Sequence, residues 1–377
     1  MWEPQGLYSK FLLKQPTLLF GENSIRGLRN FPCSKVAVIH GKGLTEESKS
    51  VFISTFGVFD LLFINKTWKN EPILEELHTT IQILEDFKPD LIIAVGGGAV
   101  IDGSKMARLY YEFPFFNVIN PKFTYLEWST KFIAIPTTVG SGSEISSAIV
   151  LFNTVKKTKE MIVNHSLLPD VVILDPLFIK GSSEKIILSS SVDALSHIIE
   201  GYVSKVENTF SDVYAEKSCQ IIYETFSSLA FNLNTTDINR LQFAGYLGGI
   251  VQNHCIVGST HAIAHQLTSF GFSHSIAISL LLTSVIKSNA INLETKLRYD
   301  LLAKRCGIQD GIDGLIDFID HLIIKMDIEE EKNRLRYLIP SLISDQTFIE
   351  NVQKDKGGFG NPITITEDYI INILNMI

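Results

Sequence analysis

At 377 residues the chain is longer than one ordinary core supports and calls for two domains of about 100 to 200 residues each. With 45% hydrophobic and 20% charged residues it has ample apolar surface to bury, and no segment is biased enough to read as disordered. The formal charge of -8, from 33 basic against 41 acidic side chains with no basic run, argues against nucleic acid as a partner.

The N-terminus, Met1-Trp2-Glu3-Pro4 followed by Lys10 and Lys14, lacks the continuous apolar region of a secretory signal. The longest uncharged apolar stretch, Ser275 to Ile286, is far short of the roughly 20 residues that span a bilayer. A cytoplasmic protein with no membrane partner is expected. Cys33, Cys219, Cys255 and Cys306 are scattered without a C-x-x-C pair, which argues against a zinc ribbon or a disulfide framework and for buried thiols.

In chain order, Val36–Ile39, Leu61–Ile64, Leu91–Val95 and Phe132–Ile135 are continuously apolar, as expected of strands covered on both faces. Between the second and third, Ile73, Leu74, Leu77, Ile81, Leu84 and Phe87 recur at helical spacing after Asn70-Glu71-Pro72, which reads as a cap and start. This is the strand-helix-strand grammar of a nucleotide-binding domain with a parallel sheet. After Val171-Val172-Ile173-Leu174-Asp175-Pro176 the pattern changes to long amphipathic helices, for example Ile186 to Val203 and Ser211 to Leu229. The expectation is an α/β dinucleotide-binding domain over residues 1–180 and an all-α domain over 181–377.

Three constellations carry chemistry. Gly96-Gly97-Gly98-Ala99-Val100-Ile101-Asp102 follows an apolar strand and enters a helical pattern containing Lys105, so a diphosphate can approach the backbone at a helix N-terminus. Pro136-Thr137-Thr138-Val139-Gly140-Ser141-Gly142-Ser143-Glu144 follows another strand, and its small hydroxyls suit a ribose, phosphate or nicotinamide amide. The third set is Asp193, His197, His261 and His274. Asp193 and His197 are four apart, so on a helix both leave one face, and His261 and His265 repeat that spacing. A carboxylate with imidazoles suits Zn²⁺ or Fe²⁺, either of which polarises a carbonyl or stabilises an alkoxide.

As a group these motifs resemble the iron-containing, or group III, alcohol dehydrogenase family, from Gln15-Pro16-Thr17-Leu18-Leu19-Phe20-Gly21 to about Asn289. The resemblance implies a fold of the dehydroquinate synthase-like type, with a catalytic metal between an α/β and a helical domain. It implies metal ligands at Asp193, His197, His261 and His274, and a dinucleotide lined by Gly97, Gly98, Thr137 and Thr138 with Ala99, Asp102 and Ser141 in the same motifs. Lys159 matches a lysine that contacts the cofactor, and His265 a histidine near the nicotinamide, here read as the catalytic proton relay. The interval from His265 to His274 is one residue shorter than in common members. Gln266 replaces a frequent proline, Ser275 a frequent glycine and Ser141 the usual threonine, departures that bear on substrate specificity.

The expected activity is hydride transfer between NAD(P)(H) and a small alcohol or its aldehyde or ketone, mainly in the reducing direction. NADP(H) is expected over NAD(H), because the first strand ends in Gly41-Lys42 where an NAD site usually has a carboxylate. A dehydroquinate synthase-like sugar-phosphate cyclase or lyase is the alternative, and a non-catalytic binding protein a third reading; the neutral segment Ala262 to Ser273 and the intact metal quartet weigh against them. The oligomeric state is left open, with a homodimer as the candidate.

Overall fold

The computed structural model describes residues 14–57, 59–69, 72–116, 126–153, 158–227 and 233–377. They form two compact units, Lys14–Ser182 with Leu233–Phe243, and Ser183–Asn232 with Ala244–Ile377.

The first unit is built on strands β1 (Thr17–Phe20), β2 (Lys35–His40), β3 (Asp60–Asn65), β4 (Leu91–Gly96), β5 (Lys131–Pro136), a hairpin of β6 (Ala148–Asn153) and β7 (Thr158–Val163), and β8 (Val171–Leu174). Helices α1 (Glu46–Phe56), α2 (Leu74–Phe87) and α3 (Gly98–Glu112) connect them. The sheet order is β1-β8-β5-β4-β2-β3, parallel throughout. Alternate residues of each central strand feed two cores. Val36, Val38, Ile93, Val95, Ile133 and Ile135 pack with Phe52 and Phe56 of α1, while Ala37, Ile39, Ile92, Ala94, Phe132 and Ala134 pack with Leu77 and Leu84 of α2 and Ile101 and Met106 of α3. Burial on both sides is the physical reason the strands read as unbroken apolar runs.

Register positions the candidate site. His40 pairs with Val95 and Gly96 with Pro136, so β2, β4 and β5 end side by side. The connections leaving β2 and β4 run to opposite sides of the sheet, which makes the crevice beyond these two ends the topological switch point where nucleotides bind in such sheets. The turn from β4 into α3 tolerates no side chain at Gly96, where a Cβ would lie 2.4 Å from Val100. Buried Trp68 donates from Nε1 to Ala99 O at 2.8 Å and fills the space beside Gly103, fixing the first turns of α3.

The second unit is helical: α4 (Glu184–Tyr202), α5 (Thr209–Phe226), most of α6 (Thr235–Cys255), α7 (Ser259–Leu267), α8 (His274–Asn289), α9 (Leu293–Cys306), α10 (Gly311–Lys325), α11 (Glu329–Ser344), α12 (Gln346–Lys354) and α13 (Glu367–Asn375). Ser183 caps α4 by accepting from Ile186 N, and the helix is buried from Ile187 to Tyr202. Among the described residues no helix is long and apolar enough to cross a membrane. Cys219, Cys255 and Cys306 are buried free thiols and Cys33 is half-buried.

Four details differ from the sequence reading. β1 and the β6–β7 hairpin are strands that the apolar runs did not announce. Helix α2 starts at Leu74 with Ile73 at its N-cap, while Asn70 and Glu71 lie outside the described residues. Helix α5 ends at Phe226. The span 181–377 was expected as one helical domain, yet Leu233–Phe243 group with the sheet: Gln242 Nε2 donates to Asp175 O at 3.3 Å, and Phe243 packs on Phe20 with ring centroids 5.1 Å apart.

Candidate active site

The helical unit gathers the metal-type residues. Asp193 and His197 sit one turn apart on α4, His261 in the first turn of α7 and His274 at the first position of α8. Asp193 Oδ1 lies 3.7 Å from His274 Nε2, 3.9 Å from His197 Nε2 and 3.9 Å from His261 Nε2. Among the described residues Asp193, His261 and His274 form a cluster with ligand atoms within 4.8 Å of one another. His197 completes the group by stacking on His261, ring centroids 4.8 Å apart.

The donor set fits a divalent cation. Tetrahedral ligation at about 2.0 to 2.1 Å separates ligand atoms by roughly 3.4 Å, so the three distances from Asp193 Oδ1 need to close by only a few tenths of an ångström, while ligand atoms up to 4.8 Å apart must draw in further. Asp193 Oδ1 and His261 Nε2 are buried without a hydrogen-bond partner among the described residues, a condition that costs about 1 to 3 kcal/mol per group when nothing compensates it. Burial, and then the charge of Glu200, push the Asp193 carboxyl up to about 8, so it needs a positive partner to stay ionised at neutral pH.

Two carboxylates stand behind these histidines. Glu200 Oε2 lies 2.6 Å from His261 Nδ1. Burial alone would raise the Glu200 carboxyl, but the charge and hydrogen bond of His261 and the bond from Thr260 hold it below the usual range. Asp355, at the end of α12, lies 3.0 Å from His265 Nδ1 and is likewise held low against its burial by His265. The His265 ring stacks 5.5 Å from that of His274. Gln266, one of the departures, donates to Asp355 Oδ2 at 3.3 Å. Sequence reasoning missed both carboxylates. Glu200 was findable, three residues after His197 and seven after Asp193 on the same helix face. Asp355 carries no local signal.

The sheet unit gathers the dinucleotide-type residues at the ends of β2, β4 and β5. A Cβ at Gly97 would lie 3.3 Å from Thr138 Cγ2, one at Gly98 3.1 Å from Ser141 Cβ, one at Gly43 3.0 Å from Thr137 Oγ1 and one at Gly41 3.0 Å from Val100 Cγ2. The three loops therefore form one surface, and Thr138 Oγ1 within it is buried without a partner among the described residues. Gly97 caps α3 without a side chain, leaving the N–H groups of Gly98 and Ala99 to be satisfied from outside the helix. Lys42 is exposed beside Gly41.

Asp102 faces another way. Its Oδ2 accepts from Val150 N at 3.1 Å and its Oδ1 lies 3.8 Å from Lys105 Nζ, so the carboxylate expected at the cofactor is engaged by its own chain. Lys105, fully buried, donates to Ser143 O (2.7 Å), Ser146 O (2.8 Å) and Ala148 O (3.1 Å). The pair ties α3 to the segment following the serine loop. Lys159 lies in β7, and its side chain is outside the described residues.

A glycine turn at the switch point of a parallel sheet and a buried carboxylate–imidazole cluster are the equipment of a nicotinamide-linked oxidoreductase that uses a cation on its substrate oxygen. Residues 16–176 match the family described as iron-containing alcohol dehydrogenase, and 187–377 match the C-terminal part of the Fe-containing alcohol dehydrogenase family. The chain is 30% identical over 271 residues to the 1-propanol dehydrogenase PduQ of Salmonella typhimurium, taking in 71% of this chain and 69% of that one. It is 27% identical over 328 residues to the NADPH-dependent butanol dehydrogenase of Clostridium saccharobutylicum, over 82% and 83% of the two chains. The crystal structure of a 1,3-propanediol oxidoreductase has the same fold, with a TM-score of 0.83 over 96% of this chain and 98% of that one at 24% identity. The chain belongs to the iron-containing alcohol dehydrogenase family. Its class of activity is that of an NAD(P)-dependent alcohol dehydrogenase, and the relatives do not support the cyclase alternative.

Proposed function

We propose that this protein reduces a small aliphatic or oxygenated aldehyde with NADPH, using Fe²⁺ or Zn²⁺ held by Asp193, His197, His261 and His274. The observation that carries the reading is Asp193 Oδ1 facing three imidazole nitrogens within 3.9 Å, buried and without a hydrogen-bond partner among the described residues. Propanol, butanol and propanediol in the names of relatives support a short substrate.

A cation in this site supplies positive charge for the substrate oxygen, and a bound nicotinamide supplies or accepts the hydride. The protein's own groups do the rest. Gly97 and Gly98 let a diphosphate reach the N–H groups that open α3, and the Thr138 hydroxyl is free to bond the same ligand. His265 is the proton carrier: Asp355 accepts from Nδ1–H, which leaves Nε2 to exchange a proton with substrate or water. Asp102 and Lys105 hold the loop.

The NADP preference rests on Gly41 standing where a carboxylate would repel the 2′-phosphate, with the exposed Lys42 as its ammonium partner; the NADPH-dependent relative supports it. A reduced cytoplasmic NADP pool drives the reductive direction. Because a side chain at Gly41 meets Val100 at 3.0 Å, Lys42→Glu is the cleaner probe. Losing a charge-assisted phosphate contact costs about 1.5 to 3 kcal/mol, so kcat/KM for NADPH should fall about 10- to 100-fold while that for NADH holds. A wild type that already prefers NADH would contradict the preference.

The metal reading is tested by His261→Ala. Calorimetry with Zn²⁺ should show binding weakened by well over a hundredfold, with NADPH binding retained. Unchanged metal affinity would refute the ligand set.

A further inference from the structure

Helix α7 begins without a cap of its own, because Gly258 at the N-cap position has no side chain to offer. Its first donors are satisfied from other parts of the helical unit. Asn361 Oδ1 accepts from Ser259 N at 3.2 Å, and Glu200 Oε1 accepts from Thr260 N at 2.6 Å. Space explains the glycine: a Cβ at 258 would lie 2.9 Å from each of these two oxygens. The other oxygen of the same carboxylate, Glu200 Oε2, is 2.6 Å from His261 Nδ1. Glu200, Thr260 and His261 are all buried, so no water competes for these contacts.

We propose that Glu200 is the positioning residue of the metal site: gripping Thr260 N with one oxygen and His261 Nδ1 with the other, it fixes His261 in the tautomer whose Nε2 lone pair faces Asp193. The inference rests on the metal reading of the cluster and adds what prepares one ligand. A neutral imidazole carries one ring proton, and a carboxylate can only accept. A proton on Nε2 would leave two acceptors facing each other at 2.6 Å, so the proton sits on Nδ1. Nε2 is then a bare donor atom, buried and 3.9 Å from Asp193 Oδ1. Attachment to the start of α7 holds the ring's position as well as its tautomer.

Glu200→Gln separates this role from simple capping. The Thr260 N–H still needs an acceptor, so the amide oxygen stays there and the amide NH₂ is left facing His261 Nδ1. The imidazole must then accept at Nδ1 and carry its proton on Nε2, the atom meant for the cation. Loss of an orienting partner typically weakens metal binding about 10- to 100-fold. That is the expected fall in Zn²⁺ affinity by competition titration, with the α-helical circular dichroism and NADPH affinity of the wild type retained. Nitrogen-15 spectra of the histidine-labelled, metal-free protein, recorded where imidazoles are neutral and with the His261 signals assigned by their absence from His261→Ala, should show Nδ1 protonated in the wild type and Nε2 protonated in Glu200→Gln. A wild type with His261 protonated on Nε2 overturns the inference whether or not the variant folds. So does a folded Glu200→Gln with wild-type zinc affinity, provided His261→Ala loses the metal; if His261→Ala also keeps it, the metal reading itself falls.

Discussion

Buried charges at single residues divide into those that bind and those that hold the frame. Asp193 Oδ1 has no hydrogen-bond partner among the described residues and three imidazoles in front of it, whereas Asp102 and Lys105 are engaged by backbone groups and by each other. Glu144 is a third case. Burial pushes it up to about 7 from an ordinary value of 4.5, and its Oε2 has no hydrogen-bond partner among the described residues. Between those two values the unfolded chain has released the proton while the folded chain keeps it, so this group makes stability fall as pH rises through that window, with the penalty complete above it. Glu144→Gln should therefore raise the urea midpoint at about pH 8 and leave it unchanged at about pH 4. A midpoint that rises equally at both would show a packing effect instead.

At the scale of elements, the glycine turn and the serine loop depend on one rivet. Three carbonyls between Ser143 and Ala148 converge on the Lys105 ammonium, which enters from the second turn of α3. Lys105→Met keeps the apolar stem and removes the donors; breaking a buried charged partnership costs about 3 to 5 kcal/mol. Denaturation should register that loss, and calorimetry a weaker NADPH affinity, with Zn²⁺ affinity unaffected. Unchanged NADPH affinity would detach the rivet from the cofactor. Elements with a strong period were legible in the sequence: the central strands announced themselves because both faces are buried, and Asp193 and His197 because a helix returns to one face after four residues. β1 was not, since it is a four-residue edge strand with half its residues exposed or nearly so. Asp355 reaches His265 across 90 residues, a contact that only tertiary structure creates.

For the whole molecule, the division of labour follows the two compact units. Every metal-type ligand lies in the helical unit, and the glycine turn, the serine loop and Gly41-Lys42 lie in the sheet unit. The change from strand-like to helical pattern foretold a parallel-sheet part followed by a helical part, though not that Leu233–Phe243 would group with the sheet, because an amphipathic helix does not disclose which core its apolar face meets. On the function proposed above, the Asp193, His197, His261 and His274 cluster holds the cation on which NADPH-dependent carbonyl reduction depends. The direct measurement follows NADPH oxidation with a short aliphatic aldehyde by metal-stripped protein before and after adding Fe²⁺ or Zn²⁺, for the wild type and for His274→Ala. The wild type should gain more than about a hundredfold on adding the metal and the variant should not respond, since charge stabilisation at the reacting oxygen contributes several kcal/mol. Full turnover by the stripped wild type, or equal recovery by His274→Ala, would rule out this cluster as the seat of a required cation.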